Sequence, residues 1–411
     1  MGAVARVGVT AALILGAAAC GGDGGGGSDP DNGATTLTIY SSLPLRGPSA
    51  AQSESIVNAE KLALQAAGGR VGKFIVKYVS LDDSSGPAGW EPKAVSAAAR
   101  RAAQDLTAIG YLGDLDSGAS AISIPVTNEA GILQISPSNT AVGLTRSEGA
   151  GKGEPEKYYP SGKRTFGRVM PADHVQAAAQ VIFQQDEDCS ATFLLDDGQF
   201  DGVSIADQVA VAAGQRGLKI AGEGSIDPEA ADNRTAVQEV VDSDADCVFF
   251  GGGTQSSAVR LFTDLHAALP QATLFGSDGV AETAFTRALE PAVARKVRLT
   301  TPMLDPDAST SAARAFSRRY RAAFGRAPDP LAVYGYEAMQ LMLLAIRGAG
   351  DDADDKQAVI DAFFMLKERD TALGGYAIDE RGDTTLTAYG TATVKDGEVA
   401  FRKVIDTGSA Q

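Results

Sequence analysis

The sequence has little positive charge for its length. Its 411 residues include 36 Lys and Arg against 52 Asp and Glu, which gives a formal net charge of −16 at pH 7. Because so acidic a chain repels a phosphate backbone, we expect no nucleic-acid partner. Aromatic residues make up only 6% of the chain and hydrophobic residues 44%. These proportions predict a core built mainly from Ala, Val, Leu and Ile, in two domains of ordinary size.

The residue patterns of common catalytic sites are also missing. The two histidines, His174 and His266, fall on predicted helices without metal-ligand spacing, so we expect surface positions for both and no metal site. The sequence contains no Gly-x-Ser-x-Gly turn and no Cys/His pair. Gly251-Gly252-Gly253-Thr254 follows a predicted strand but lacks the Lys-Ser/Thr of a phosphate loop, so we interpret it as a turn at the edge of a cleft. We therefore expect neither an enzyme nor a cofactor.

Only the amino terminus carries a long apolar run. Arg6 is followed by the uncharged stretch Val7 to Ala19 and then by Cys20. A stretch of this length is a signal-peptide core and is too short to span a bilayer. It does not fit a buried core helix, because the Gly-rich tract that follows it, residues 21–33, has nothing to pack with and is typical of a flexible tether. We predict a signal peptide over residues 1–19.

The end of this segment is similar to a bacterial lipoprotein cleavage box. Small residues precede the cysteine in Ala17-Ala18-Ala19-Cys20, although Ala17 stands where a leucine is commonest. We expect Cys20 to carry lipid and to anchor the chain in the bilayer at the extracytoplasmic face of a bacterial membrane. Residues 20–35 would form the anchor and tether. Ordinary secretion without lipid is the alternative.

Two cysteines remain after Cys20. Cys189 precedes the strand-like run 191–195, and Cys247 begins the run 247–250. In a doubly wound lobe these would be neighbouring strands, with both cysteines at the same end of the sheet. A disulfide is possible there and suits an oxidising compartment. Two separate buried thiols remain the alternative.

From Thr36 onward, short β-branched or aromatic runs alternate with Ala-rich segments of helical period, which predicts βαβ units and mostly parallel sheets. The alternation breaks at 146–163, where we expect an exposed loop, and then restarts, which indicates two lobes of one α/β design. The predicted strands are 36–42, 74–81, 107–112, 132–136, 191–196, 218–226, 247–251, 272–276 and 297–301. The predicted helices include 51–67, 92–104, 117–128, 309–324 and 332–348, and a hairpin covers 388–404.

Two hydroxyl-rich turns follow strands of the first lobe. The first is Gly113 to Gly118 and the second is Ser136 to Thr140. Because such turns meet at the carboxyl ends of parallel strands, they predict a binding site for a small polar ligand. Over roughly residues 36–405 the chain resembles the branched-chain amino-acid-binding family, the type I periplasmic binding proteins.

The resemblance implies two doubly wound α/β lobes joined by a three-strand hinge. It assigns residues 36–165 with 302–378 to the amino-terminal lobe and 166–301 with 379–411 to the carboxyl-terminal lobe. The periodicity of the sequence alone does not reveal these crossings between lobes.

The resemblance also implies which residues bind the ligand. A free amino acid brings a carboxylate and an ammonium, and burying either without a partner is costly. Ser117 falls at the serine that binds the carboxylate, Ser138 and Thr140 at positions that offer a carbonyl and a hydroxyl, and backbone N–H groups at a helix start assist them. Ordinary helix capping is the alternative for these three residues.

The second lobe would supply the partner of the ligand ammonium. Asp278 falls where the family supplies an acid to this group, with a turn aspartate as the alternative, and Phe200 falls at an aromatic residue that closes over the ligand. Gln52 stands where an aromatic residue is frequent, and Asp114 and Asp116 add negative charge beside the expected carboxylate. These departures put leucine, isoleucine or valine in doubt as the ligand.

The resemblance implies a monomeric solute receptor. It would close on a small amino acid or analogue by hinge motion and deliver it to the permease of an ABC importer. A sensor with the same fold that reports the ligand to a signalling partner is the second hypothesis.

Overall fold

Two mainly parallel sheets organise the chain. A computed structural model of the protein describes residues 34–85, 89–254, 257–302 and 310–408. The predicted signal peptide and Cys20 lie outside these residues. From Thr35 onward the described residues form one unit, in which helices cover each sheet and each sheet has its own buried core.

The first sheet is built from the amino-terminal series of elements. Its strands are β1 (Thr36–Leu43), β2 (Arg70–Val71), β3 (Phe74–Asp82), β4 (Ala108–Gly113), β5 (Leu133–Ser136) and β6 (Phe166–Arg168). The helices between them are α1 (Ala50–Ala66), α2 (Pro92–Gln104) and α3 (Ser117–Glu129). The strand order is β2-β3-β1-β4-β5-β6, and each neighbouring pair is parallel except β2 with β3.

The second sheet repeats this design and ends in a hairpin. Its strands are β7 (Ala191–Asp196), β8 (Lys219–Ser225), β9 (Cys247–Gly251), β10 (Thr273–Gly276), β11 (Val297–Thr301), β14 (Ala388–Lys395) and β15 (Glu398–Asp406). Its helices are α4 (Asp173–Asp186), α5 (Phe200–Arg216), α6 (Arg234–Asp242), α7 (Ala258–Ala268), α8 (Thr283–Ala288) and α9 (Pro291–Ala294). The order is β15-β14-β11-β10-β9-β7-β8, and only β14 and β15 run antiparallel to their neighbours.

The chain returns to the first sheet before it forms the hairpin. The returning elements are α10 (Ser311–Phe324), α11 (Ala332–Ala349), α12 (Lys356–Phe364) and a small ribbon of β12 (Arg369–Thr371) with β13 (Gly374–Tyr376). Met342 and Ile346 of α11 are buried in one core with Ile39 and Leu112 of the first sheet. The path therefore crosses between the lobes after β6, after β11 and after β13, which confirms the predicted two-lobe α/β fold.

Helix α11 packs closely on α1, and one glycine makes this approach possible. A Cβ on Gly335 would lie 2.6 Å from Cγ2 of Ile56 and 3.0 Å from its carbonyl oxygen. Helix α2 shows how the other helices are held. Its buried side chains, Val95, Ala98, Ala99 and Ala102, recur at helical spacing, and Pro92 stands at its start, where a missing N–H costs least.

The predicted elements match the observed ones to within about two residues, but the predicted exposed loop at 146–163 is partly wrong. Tyr158 and Tyr159 within it are 4% and 5% exposed and pack against Ile124 and Phe166. These two tyrosines are apolar enough to form a small core of their own, which the charged residues around them conceal. The first sheet also extends to β6, three residues past the boundary expected at 165.

The structure joins Cys189 and Cys247 in a disulfide, with their Cα atoms 5.8 Å apart. Cys189 lies two residues before β7 and Cys247 begins β9, and these strands are neighbours in the second sheet. Of the two alternatives for these cysteines, the structure therefore supports the disulfide. Among the described residues, no helix is both long and apolar enough to cross a membrane.

Candidate ligand-binding cleft

The carboxyl ends of both sheets face a large cavity. Strands β4, β5, β7, β9 and β10 each lead into a turn that lines it. Its volume is about 1080 Å³, at the upper end of the usual range for small-molecule sites. Because ligands of parallel α/β sheets bind at this edge, the cavity is the candidate site of the molecule.

Five of the six predicted ligand-binding residues line this cavity. Gln52 lies near the start of α1, and Ser138 and Thr140 lie in the turn after β5. Phe200 begins α5, and Asp278 follows β10 in a short 3₁₀ turn. The fold thus brings together residues that lie more than 200 positions apart in the sequence.

The sixth predicted residue, Ser117, lies directly behind this surface. Its side chain is buried, and its Oγ accepts hydrogen bonds from the backbone N–H groups of Thr140 (3.2 Å) and Ala141 (3.3 Å). Similarly, the hydroxyl of Ser138 donates to the carbonyl oxygen of Leu115 (2.6 Å). The serine hydroxyls therefore hold the two polar turns of the first lobe together.

A carboxylate of the second lobe occupies the start of α3. The backbone N–H of Ser117 donates to Oδ1 of Asp201 (2.9 Å), and that of Gly118 donates to Oδ2 (3.3 Å). Asp116, the N-cap residue of α3, makes no capping bond with its own side chain. Since a helix start favours negative charge, Asp201 acts as the cap of α3 from across the cleft.

The cavity wall is acidic. Eight carboxyl side chains line it, and no Lys, Arg or His of the described residues does. Seven of the eight come from the second lobe. The eight are Asp116, Asp173, Asp197, Asp201, Asp227, Glu229, Asp278 and Glu282.

Burial and repulsion from neighbouring carboxylates raise the pKa of five of these acids, namely Asp116, Asp173, Asp201, Asp278 and Glu282. Burial, together with the charges of Asp201, Asp114, Glu282 and Asp197, raises the pKa of the Asp116 carboxyl to about 8. Some of these acids are therefore neutral near pH 7, and a positive charge that enters the cleft would stabilise their ionised form.

Two further acids of the cleft behave in the same way. Burial raises the pKa of Asp173 to about 7 and that of Asp278 to about 6, and each feels the charge of Asp201. The hydroxyl of Ser204 beside Asp173 and the amide of Gln176 beside Asp278 act to lower these two pKa values but only partly offset the effect of burial. These acids too would gain from a nearby cation.

Asp173 is the most enclosed acid of the wall. Asp173 is only 1% exposed, and the hydroxyl of Ser204 donates a hydrogen bond to its Oδ2 (2.5 Å). Its Oδ1 makes no well-formed hydrogen bond, although the hydroxyl of Thr140 lies near enough to lower the pKa of this acid. A buried polar atom without a partner is costly, so this oxygen marks a place where a donor is missing.

The family model described as periplasmic binding protein matches residues 36–398. This chain belongs to that family. The chain is 26% identical over 361 residues to a Leu/Ile/Val-binding protein, BraC3, of Rhizobium johnstonii, a match that covers 86% of this chain and 90% of the relative.

Solved structures show the same fold for this periplasmic binding protein. A leucine-binding protein, LivK, of Thermotoga maritima aligns with a TM-score of 0.77 at 21% identity and covers 90% of this chain and 99% of its own. A solute-binding protein of an ABC transporter from R. palustris, in complex with benzoate, aligns with a TM-score of 0.71 at 18% identity, over 90% and 96% of the two chains. Proteins of this fold therefore hold chemically different ligands.

Of the two acids beside Ser117, one points away from the cleft of this periplasmic binding protein. Asp114 is fully buried and accepts hydrogen bonds from Tyr111 (3.0 Å), Ser120 (3.3 Å) and Ser123. It belongs to the interior of the first lobe. Asp116 is half-buried and lines the cavity, so the acid that the sequence places beside the expected carboxylate does face the ligand space.

The glycine turn after β9 forms a cleft edge, as predicted. Gly252 and Gly253 line the cavity. A Cβ on Gly279 would lie 2.4 Å from the carbonyl oxygen of Gly252, so the turns after β9 and β10 touch through their backbones. This contact places Asp278 next to the rest of the acidic wall.

Several residues of the site escaped prediction from the sequence. Asp173 begins α4 just after the chain crosses between lobes, and Glu282 lies past a turn, so neither follows a strand. Trp90 also lines the cavity. His174 and His266, both expected at the surface, are half-buried, and burial lowers the pKa of His174 to about 4.

Proposed function

We propose that the protein is an extracytoplasmic solute receptor that binds a small amino acid or a related compound between its lobes and delivers it to an ABC importer. The family is one of binding proteins, and the named relatives include a Leu/Ile/Val-binding protein and a solute-binding protein of an ABC transporter. The proposal includes three further points: that the partner is an ABC importer, that the protein is a monomer, and that it catalyses no reaction.

The cavity between the lobes is the observation that carries the proposal. Turns from both sheets line it, and Asp201 already links the two lobes across it. A ligand that contacts both walls would stabilise the closed arrangement relative to the open one, which is the basis of hinge closure.

Thermal shift against a panel of amino acids, amides, amines, short peptides and polyols tests this function, since only a compound that binds the folded state raises the melting temperature. We expect at least one class to do so and to reduce the radius of gyration in solution scattering. If saturating compounds of every class leave both quantities unchanged, the protein is not a receptor for small solutes of these kinds.

We propose, in addition, that lipid on Cys20 holds the protein at the membrane. The charge-free core, the small residues before Cys20 and the Gly-rich tether after it support this assignment. Cys20→Ala should release the protein into the medium. A mature terminus elsewhere without an acyl group, found by mass spectrometry, would favour ordinary secretion.

A further inference from the structure

We propose that the ligand of this cleft is a small organic cation with two amino groups and no carboxylate. This inference rests on the proposed receptor function and names its substrate class. It departs from a zwitterionic amino acid such as leucine. The acidic wall, the position of Asp201, the unpartnered oxygen of Asp173 and the aromatic residues of the wall lead to it.

The charge of the wall determines the sign of the ligand. Eight carboxyls face the cavity, and no cationic side chain of the described residues faces it with them. The strongest charges acting on Asp116 are other carboxylates. A leucine zwitterion brings no net positive charge, and its carboxylate would add a further acid to this wall. A diamine brings two positive charges and repels none of the wall.

The place that would bind a carboxylate already holds one. Both free N–H groups at the start of α3 donate to Asp201. A ligand carboxylate would have to displace Asp201, which the fold holds in position, and would add its own charge beside Asp116, whose pKa the charge of Asp201 already raises. A ligand without a carboxylate leaves this arrangement intact.

The unpartnered oxygen of Asp173 points to a missing donor. Asp173 is 99% buried, lines the cavity and keeps Oδ1 without a hydrogen bond. Asp278 is one of the charges that act on it. An ammonium has three N–H donors, so it could satisfy Oδ1 of Asp173 and still donate to Asp278. Charge-assisted bonds of this kind are stronger than neutral ones.

The remaining wall suits an alkyl amine. Trp90 and Phe200 line the cavity and flank the first turn of α3, since a Cβ on Gly118 would lie 3.2 Å from Cζ2 of Trp90 and 3.3 Å from Cβ of Phe200. Aromatic rings contact methylene chains and attract ammonium groups. The volume of about 1080 Å³ leaves room for an extended chain. A metal ion fits less well, because no three His, Cys, Asp or Glu of the described residues are arranged to hold one.

A matched pair of compounds tests the inference by isothermal titration calorimetry. Lysine differs from 1,5-diaminopentane only by the α-carboxylate, so the comparison isolates the effect of that group. We expect the diamine to bind about tenfold or more tightly than lysine, and leucine to bind more weakly than both. The affinity of the diamine should fall as salt rises, because charge pairing contributes to it.

Two variants of α5 sharpen the test. Asp201→Ala leaves the N–H groups of α3 without their acceptor. It should therefore lower the affinity for the diamine and raise the affinity for lysine, so that the difference between the two affinities shrinks or reverses. Asp207→Ala removes the same charge from the same helix at an exposed position that does not line the cavity. It should leave both affinities within about twofold of the parent. Thermal unfolding of each variant reports whether it is folded.

The outcomes separate this inference from the proposed function. Tighter binding of the diamine, with the reversed effect of Asp201→Ala, supports it. If lysine or leucine binds more tightly than the diamine, the inference is wrong and the receptor function stands. If diamines fail to bind while amides or polyols do, the charge assignment is wrong. If no compound of the whole panel binds, the receptor function itself fails.

Discussion

Two groups of acids in this molecule have opposite surroundings. Near the last crossing between the lobes, Asp383 accepts hydrogen bonds from Arg168 (2.8 Å), Arg146 (2.6 Å) and Thr145 (2.8 Å). Burial acts to raise the pKa of Asp383, but the two guanidinium groups outweigh it and hold the pKa well below its usual range. In the cleft, by contrast, the charges that act on Asp116 are those of other carboxylates, and with burial they raise its pKa to about 8.

The difference shows where charge serves the fold and where it is left for a ligand. The cluster at Asp383 joins a loop of the first lobe to the segment that leads into β14, and Arg168 within it is fully buried and also donates to the carbonyl oxygen of Ala141 (2.8 Å). Each buried charge there has its partner inside the protein. No Lys, Arg or His of the described residues lines the cleft, so we expect a ligand to supply the positive charge there.

Removing one arginine should break the first group. Arg168→Met leaves Asp383 buried with only part of its positive surroundings, and we expect a loss of about 3 kcal/mol or more in the free energy of unfolding. Urea unfolding measures it. The matched control is Arg326→Met. The side chains of Arg326 and of its ion-pair partner Glu54 are 45% and 61% exposed, so this pair should contribute less than about 1 kcal/mol to the free energy of unfolding. Equal losses in the two variants would contradict the structural role of the cluster.

Removing a cleft acid should affect binding instead of folding. Asp278→Asn keeps the shape of the side chain and removes its charge. We expect the affinity for 1,5-diaminopentane to fall about thirtyfold or more, equivalent to roughly 2 kcal/mol or more. The free energy of unfolding should stay within about 1 kcal/mol of the parent, because Asp278 is among crowded carboxylates.

Calorimetry and urea unfolding of Asp278→Asn, with Asp207→Asn beside it, make this comparison direct. Asp207 lies outside the cavity on an exposed face of α5. If Asp278→Asn binds as tightly as the parent, Asp278 is only a turn residue. Asp173 or Asp116 would then be the acid that binds the ammonium.

The sequence predicted the fold well because its signals are local. Strands such as β9 and β11, and helix α2, coincide with the runs that the apolar pattern marks. The crossings between lobes had to come from the family resemblance. Helix α11 has the same apolar period as the helices before it, and only the close contact of Gly335 with Ile56 shows that it packs on α1.

The site was only partly predictable for a related reason. Residues in turns after strands, such as Ser138 and Asp278, lie where parallel sheets collect ligands, so the pattern indicates them. Asp173 lies at a helix start behind a crossing, and the bond from Asp201 to α3 depends on how two lobes meet. No local pattern encodes either arrangement, and only the three-dimensional structure shows that the acids outnumber the cations in the cleft.

The smallest expected effect concerns pH and separates the two groups by sign. Because the pKa of Asp116 is higher in the folded state, its protonated carboxyl favours folding. This contribution to the free energy of unfolding is fully present below about pH 4 and is lost as the pH rises to about 8. Asp383 does the opposite, since its lowered pKa gives stability that is present above about pH 4 and lost as the pH falls.

Asp116→Asn should therefore flatten the decline in stability between about pH 6 and pH 8. We expect a change of about 1 kcal/mol over that range, since Asp116 is half-buried and solvent screens part of its repulsion from Asp114, Asp197, Asp201 and Glu282. Urea unfolding at several pH values measures it. In the parent, 1,5-diaminopentane should raise the melting temperature more at pH 8 than at pH 6, because the carboxyls that bind it are then ionised. A smaller shift at pH 8 would mean that the cleft acids bind their ligand in the protonated form.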